Sequence, residues 1–240
     1  MRSLLITRPY DEDAFTVALA SEADAIVIAL DVAASIEKIV RANAAHLLAR
    51  HPRRTVLVRV SMLAGDDLDA AMAFAPAAIL LSRCAGAASV QQLSSRLSVR
   101  EAQLGLVDGS TRIFALIDSA EAALSAPGFV GAGTRLAGVA WDAQGVSTDV
   151  DANASRVGVL GGAGAQARAI TLLVATASGV PAFDTASTAT GETLRDEALA
   201  ARRDGFAGKL MIESAQATVV NAVFDGSLQR RFDDGFRRTV

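Results

Sequence analysis

The feature that most constrains the fold is a regular alternation of short apolar segments with Ala- and Leu-rich segments of helical spacing. The apolar segments have the length of strands, and their continuous hydrophobic character is typical of parallel strands covered on both faces. The predicted strands span residues 3–7, 24–30, 55–61, 77–82, 112–118, 135–141, 180–184 and 208–212. The predicted helices span residues 12–20, 34–50, 66–73, 87–96, 119–126, 161–178, 191–204 and 214–224.

Eight strand–helix alternations without a break in composition predict a parallel α/β fold, and the number eight favours a closed barrel. The 240 residues are close to the roughly 250 that are typical of such barrels. We therefore predict a single (β/α)8 (TIM) barrel domain over residues 1–240. Residues 143–160 are predicted to form a polar loop over one barrel end. Residues 225–240 are predicted as a frayed tail or, alternatively, a short amphipathic helix that packs on a neighbouring subunit.

The composition excludes several classes of protein. The net charge is −3 and Lys and Arg form no long run, which argues against a nucleic-acid partner. Cys84 is the only cysteine, so we expect no intrachain disulfide and no cysteine-bound zinc. The first residues turn acidic too soon for a signal peptide, and no apolar run reaches about 18 residues, as a membrane span requires. We expect a cytoplasmic protein that does not contact a membrane.

Polar residues at the carboxyl ends of the predicted strands are the first candidates for a site, because (β/α)8 enzymes build their active sites there. Each predicted strand has one ionisable residue at or near its end, although strand ends that lead into polar loops explain part of this pattern. These residues are Arg8, Asp31, Arg59, Arg83, Asp118, Asp142, Asp184 and Glu213.

Three of these residues carry the strongest signals. Arg59 lies inside the apolar run "VLVRVS", where a buried charge needs a partner, and carboxylates at the same barrel end would supply it. Asp118 and Asp142 close two consecutive strands, so their carboxylates can share a hard divalent cation such as Mg²⁺. The alternative, that each Asp merely caps the following helix, is equally compatible with the spacing.

The remaining reactive residues point away from other chemistries. His46 and His51 are the only histidines and precede a predicted strand, at the end of the barrel opposite the expected site. This position argues against histidine acid–base catalysis and histidine metal ligands. Cys84 is expected to be a small apolar filler.

A glycine-rich segment offers a competing interpretation. Gly162, Gly164 and Ala167 precede a helix, and Asp184 ends the next strand, which is the outline of a dinucleotide-binding fingerprint. The apolar run before it is short, however, and follows a polar loop. A closely packed barrel helix, or a phosphate bound at its N-terminus, also explains the glycines.

Several segments resemble one known family in order along nearly the whole chain. They are "VLVRVS", "AAILLSR", "LIDSA", "VAWDA", "GVPAFD" and, most specifically, "RRDGFAGKLMIESAQATVVNAVF". Together they resemble the citrate lyase beta-subunit-like branch of the HpcH/HpaI aldolase family. The resemblance implies a (β/α)8 barrel, usually a homo-oligomer. It also implies a Mg²⁺-dependent carbon–carbon lyase whose substrates are a 2-oxo or 2-hydroxy acid and a thioester of coenzyme A or a carrier protein.

The resemblance assigns roles to single positions. The metal-binding glutamate and aspartate of the family fall on Asp118 and Asp142, and its strand arginine falls on Arg59. These matches imply that Asp118 and Asp142 bind Mg²⁺, while Arg59 stabilises enolate charge. Asp31 is the single carboxylate left of an acidic cluster, and it is a candidate for proton transfer or for orienting metal-bound water.

Other positions depart from the family pattern. Arg83 stands in a Ser–Arg pair where the family has Pro–Lys, and Glu213 replaces a histidine. Ser61 replaces an asparagine, Trp141 replaces a glutamate, and the arginine of the first loop has only Arg8 nearby. Arg83, Arg8 and Glu213 are expected to contact substrate, the arginines at a second carboxylate or a phosphate. The departures keep open a barrel with changed substrate, and a non-catalytic relative with a binding or scaffold role.

Overall fold

The computed structural model describes residues 1–8, 12–30, 49, 51–61, 67–150 and 161–225. Eight parallel strands close into a barrel in sequence order. They are β1 (Ser3–Thr7), β2 (Ala25–Ala29), β3 (Thr55–Ser61), β4 (Ala78–Ser82), β5 (Arg112–Ile117), β6 (Leu136–Trp141), β7 (Ala182–Asp184) and β8 (Gly208–Met211). Strand β8 pairs with β1, with Ser3 opposite Lys209, and this pairing closes the barrel. The predicted (β/α)8 fold is therefore confirmed.

Helices surround the barrel in the described part of the chain. They are α1 (Glu12–Ala20), α2 (Asp67–Met72), α3 (Ala87–Gln103), α4 (Ala120–Ser125), α5 (Ala143–Asp149), α6 (Gly162–Ser178), α7 (Gly191–Asp204) and α8 (Gln216–Phe224). A 3₁₀ turn, Ala126–Phe129, follows α4. The predicted helix at 34–50, apart from residue 49, and the predicted tail after residue 225 lie outside the described residues. Within the described ranges, no helix is both long and apolar enough to cross a membrane.

The apolar residues of each strand divide between two clusters because successive side chains point to opposite sides of a strand. The inner cluster fills the barrel and includes Leu57, Leu80 and Phe183, with the Phe114 ring 5.6 Å from the Phe183 ring. The outer cluster lies between the strands and the helices and includes Cys84. Burial raises the pKa of the Cys84 thiol to about 12, so this side chain is an uncharged filler at neutral pH, as predicted.

The predicted loop over 143–160 is wrong in its first half, because residues 143–149 form helix α5. Gly, Ser, Thr and Asp in this segment disfavour a helix when it stands alone. The helix forms because the Asp142 side chain accepts a hydrogen bond from the Gln144 amide, at 3.1 Å, and because Val146 is buried where α5 packs against α6. Residues 151–160 lie outside the described part.

A buried ion pair stabilises the barrel end opposite the predicted site. Arg135, just before β6, donates to both carboxylate oxygens of Glu101, at 3.0 Å and 2.7 Å. The amides of Thr111 and Gly109 also donate to Glu101, whose side chain is 0 % exposed. Burial alone raises the pKa of Glu101, but the hydrogen bonds, led by those from Arg135, outweigh it and lower the pKa to about 2.

Candidate active site at the carboxyl end of the barrel

Side-chain alternation decides which strand-end residues reach the barrel mouth, defined here as the space at the carboxyl ends of the strands. Inner-cluster residues Leu57, Leu80, Leu116 and Ala140 lie on β3, β4, β5 and β6. Positions two or four residues later in each strand therefore lie on the same, inner side. These positions are Arg59, Ser61, Ser82, Asp118 and Asp142.

The strand register brings these residues into one row. Ser61 on β3 is paired with Ser82 on β4. On β5 and β6, Ile117 is paired with Trp141, and the Asp142 amide donates to the Ile117 carbonyl at 2.9 Å. Asp118 and Asp142, which directly follow this pair, thus lie side by side at the mouth.

Asp118 is held firmly in place by the preceding strand. Its Oδ2 accepts a hydrogen bond from Ser82 Oγ at 2.5 Å, and its Oδ1 accepts one from the Arg83 amide at 2.9 Å. Burial raises the pKa of Asp118, and the negative charge of Asp142 adds to the rise, while the two hydrogen bonds oppose it. A cation at this place would relieve both the burial cost and the repulsion between the carboxylates.

Arg83, whose amide contacts Asp118, adopts an unusual backbone conformation. Its φ angle is +50°, in the left-handed region that a non-glycine residue rarely occupies. The Arg83 amide donates to Asp118 from this turn while its side chain stays exposed. Such strain is concentrated at functional sites, where the surrounding structure maintains it.

Asp142 combines the two roles that the sequence left open. Its Oδ1 caps helix α5, as the helix-cap alternative predicts. Among the described residues, the hydrogen bond from the Gln144 amide reaches Oδ1 and none reaches Oδ2. Asp118, by contrast, caps no helix: the cap of α4 is Ser119, whose Oγ accepts from the Ala122 amide at 3.1 Å.

The two carboxylates fit Mg²⁺, which proteins usually bind through one or two carboxylates together with waters and substrate oxygens. Within the described ranges, no group of three or more His, Cys, Asp and Glu residues is arranged to hold a metal ion. Among the described residues, Asp118 and Asp142 would hold a cation here. Asp31, the third candidate carboxylate, lies outside the described residues.

The predicted arginines are distributed around the mouth. Arg59 is half-buried, and Ala29, the last residue of β2, is its partner in the register. Arg8 is exposed just after β1, two residues beyond Ile6, which packs against the inner cluster. Glu213 is exposed after β8, and its amide donates to the Gln216 side chain at 3.2 Å. His51 lies before β3, at the opposite barrel end, as predicted.

Asp184 was expected at the mouth from its place at a strand end, and this expectation is wrong. It follows the inner-cluster residue Phe183 directly and therefore points outward, to the helices. Its Oδ1 accepts hydrogen bonds from Trp141 Nε1 at 2.7 Å and from Arg168 Nε at 3.3 Å, and its Oδ2 lies 3.5 Å from Lys209 Nζ. These contacts also occupy the carboxylate that a dinucleotide-binding fingerprint would need for the ribose.

Two residues of this region were missed by the sequence analysis as contact residues. Ser82 holds Asp118, and the Oγ1 of Thr185, just after β7, accepts a hydrogen bond from the Ala143 amide at 2.9 Å. A hydroxyl after an apolar run is a common feature of strand ends. Only the alternation of inner and outer positions, applied to β4 and β7, could have indicated them.

The fold and the paired carboxylates define a closed parallel barrel with an acidic candidate cation site at its carboxyl end. The sequence profile of the HpcH/HpaI aldolase/citrate lyase family matches residues 3–214. The chain therefore belongs to the HpcH/HpaI aldolase/citrate lyase family. The citrate lyase subunit beta of Leuconostoc mesenteroides subsp. cremoris is 31% identical over 150 residues, 61% of this chain and 48% of that protein. The match thus spans about half the length of that relative.

Solved structures share the fold at lower identity. CitE of Mycobacterium tuberculosis, in complex with magnesium, acetoacetate and coenzyme A, has a TM-score of 0.75 and 24% identity, covering 100% of this chain and 88% of that chain. The citrate lyase beta subunit of M. tuberculosis complexed with oxaloacetate and magnesium has the same score and identity, covering 93% and 96%. RipC of Yersinia pestis has a TM-score of 0.70 and 22% identity, covering 96% and 97%.

Proposed function

We propose that this protein is a Mg²⁺-dependent carbon–carbon lyase of the aldolase type, acting on an acyl thioester of a 2-oxo or 2-hydroxy acid. The observation that carries the proposal is the pair of carboxylates, Asp118 and Asp142, side by side at the barrel mouth. Family membership and the magnesium and oxo-acid complexes of similar barrels support it. Coenzyme A or a carrier protein is the proposed thioester partner, and a cytoplasmic homo-oligomer the proposed state.

The cleavage reaction has three steps. A base removes the substrate hydroxyl proton, the carbon–carbon bond breaks to leave a 2-oxo acid and a thioester enolate, and the enolate carbon then takes up a proton. When bound, Mg²⁺ supplies a Lewis acid and a template for the oxo-acid oxygens. The protein must hold the substrate, stabilise the enolate charge and move the proton.

The candidate residues suit these tasks. The Arg59 guanidinium would donate hydrogen bonds to the enolate oxygen, where negative charge develops. The Asp31 carboxylate is our proposed group for proton transfer or for orienting water. Arg83 and Arg8 would bind a second carboxylate or a phosphate, since a guanidinium fork matches either group. Glu213 would shape the substrate space at the end of β8.

A non-catalytic barrel is the second candidate, and one observation favours it. Trp141 takes the place of a family glutamate, and its indole points away from the mouth to Asp184. This departure beside Asp142, together with those at Ser61, Arg83 and Glu213, is what a barrel that retained binding while losing turnover would show.

The test is titration calorimetry with Mg²⁺, in the absence and presence of oxaloacetate or glyoxylate. We expect Mg²⁺-dependent binding of the oxo acid by the wild type and loss of both in Asp142→Asn. The matched control is Asp196→Asn, an exposed position on α7. Absence of Mg²⁺ and oxo-acid binding by the wild type would contradict the lyase assignment. Binding without cleavage of any citryl or malyl thioester would favour the non-catalytic alternative.

A further inference from the structure

Thr185, just after β7, is hydrogen-bonded to Ala143, which follows Asp142 and is the first residue of helix α5. Two residues before it, Phe183 belongs to the inner cluster, so the Thr185 side chain lies on the mouth side of the strand end. Its Oγ1 accepts a hydrogen bond of 2.9 Å from the Ala143 amide and donates one of 3.3 Å to the Ala186 carbonyl. The Ala143 amide is one of the helix N-terminal donors that have no partner within their own helix. Thr185 supplies that partner from a neighbouring strand.

The main chain of Thr185 is held by a buried lysine of the adjacent strand β8. Lys209 on β8 is 2 % exposed, and its Nζ donates to the Thr185 carbonyl at 2.6 Å. Two carboxylates balance the buried ammonium, Asp184 at 3.5 Å and Glu197 of α7 at 3.6 Å. The cost of burying this charge is thereby offset, and the ammonium is fixed against the backbone of Thr185.

The segment that follows Thr185 is held as well. Ser187 Oγ donates to Glu197 Oε2 at 2.6 Å. Gln216 of α8, which is 2 % exposed, donates from Nε2 to the carbonyls of Ser187 and Ala189, at 2.9 Å each. Side chains from β8, α7 and α8 therefore restrain residues 185–189, and the Thr185 hydroxyl has a defined position.

We propose that Thr185 is a positioning residue that fixes the Asp142 carboxylate for metal binding, with Lys209 as its anchor. Asp142 Oδ1 is engaged by the Gln144 amide, so the direction of Oδ2 depends on the backbone from Asp142 to Gln144. Thr185 fixes the middle of that backbone through the Ala143 amide. This assignment rests on the proposed Mg²⁺ site. In other proteins, mutation of a residue that hydrogen-bonds to a metal ligand typically changes the metal affinity by about 10–100-fold.

The experiment compares Thr185→Val, which keeps the shape but loses the acceptor, with Thr185→Ser, which keeps the hydroxyl. Calorimetric titration with Mg²⁺ should show roughly tenfold or greater weakening in Thr185→Val and near wild-type affinity in Thr185→Ser. Hydrogen exchange at the Ala143 amide should accelerate in the Val variant alone. Should Thr185→Val fail to fold, Thr185→Ala tests the same loss.

The outcomes separate the two proposals. Equal Mg²⁺ affinity in the wild type and Thr185→Val overturns the role of Thr185 and leaves the proposed lyase intact. A weakened Thr185→Ser variant also overturns it, because the hydroxyl is then not what matters. A wild type without Mg²⁺ affinity overturns the proposed function and this assignment with it.

Discussion

Ser82 donates a hydrogen bond of 2.5 Å to Asp118, from the end of β4 to the end of β5. Together with the bond from the Arg83 amide, this bond engages one lone pair on each carboxylate oxygen, and a carboxylate has further lone pairs with which to bind a ligand. The orientation of Asp118 is thus set by Ser82, the last residue of β4, and by Arg83, which follows it. The same two residues stand where the resemblance described above implies Pro–Lys.

We expect Ser82→Ala to weaken Mg²⁺ binding by about tenfold, because Asp118 loses the hydroxyl that orients it. Ser82→Thr keeps the hydroxyl and should bind nearly as the wild type does. Calorimetric titration measures the affinity, and Ser95→Ala on the exposed side of α3 is the control. If Ser82→Ala binds Mg²⁺ unchanged, Asp118 is not oriented by Ser82 or is not a ligand.

Gly145→Ala should both destabilise the protein and weaken the site. A Cβ at Gly145 would lie 2.7 Å from the Asp118 carbonyl oxygen and 3.1 Å from the Asp118 Cβ, so helix α5 must shift away. Overpacking of this kind costs about 1–3 kcal/mol, which denaturant unfolding would measure. Gly162→Ala, in α6 with open space around the added Cβ, should leave stability and Mg²⁺ affinity nearly unchanged. Equal stability of the two variants would contradict this account.

Arg83→Ala should weaken oxo-acid binding by about tenfold and leave Mg²⁺ affinity alone, because a guanidinium–carboxylate bond contributes roughly 1.5–3 kcal/mol. The Arg83 amide remains in place and continues to hold Asp118. Titration with oxaloacetate in saturating Mg²⁺ tests whether oxo-acid binding is weakened without a loss of Mg²⁺ affinity. The control is Arg195→Ala, at an exposed position of α7. A parallel loss of Mg²⁺ affinity would show that the side chain, too, supports the metal site.

Acid should destabilise the protein through Glu101. Its pKa is about 2 in the folded protein, below the ordinary glutamate value of 4.5, so the folded state favours the charged form. The stabilisation is therefore complete above about pH 4.5 and is lost as the pH falls toward 2. Glu101→Gln should cost on the order of 3 kcal/mol in unfolding free energy at pH 7, because the buried Arg135 loses its buried counter-ion and keeps only the exposed Asp108.

The pH profile distinguishes this ion pair from a general loss of packing. The stability difference between the wild type and Glu101→Gln should shrink as the pH falls below 4.5, while Glu121→Gln, exposed in the first turn of α4, should show little difference at any pH. Denaturant unfolding between pH 3 and pH 7 gives the profile. A difference that stays constant over that range would refute the electrostatic explanation.

The fold could be predicted because parallel strands that are covered on both sides are mostly apolar along their length. Segments such as residues 55–61 and 112–118 show this directly, and the observed strands β3 and β5 differ from them by at most one residue. Helix α5 escaped prediction because its own sequence disfavours helix. Its stability comes from the Asp142 cap and from packing against α6, which are contacts that local sequence does not contain.

The candidate site was predictable only in part. Asp118 and Asp142 were indicated by their places after two strands, and the structure puts them together. Asp184 had the same signal but lies on the opposite side of its strand, because one residue of register reverses every side chain. Ser82 and Thr185 carry no distinctive sequence signal, since their importance arises from the distance to another strand.

The closure of the barrel has a consequence for how the chain folds. The partner of Ser3 in β1 is Lys209 in β8, so β1 pairs with a strand that is made some 200 residues later. Until β8 leaves the ribosome, one edge of β1 has no neighbour and can pair with another nascent chain. Because this closure is slow and joins distant parts of the chain, we expect it to be the folding step that depends most on chaperones.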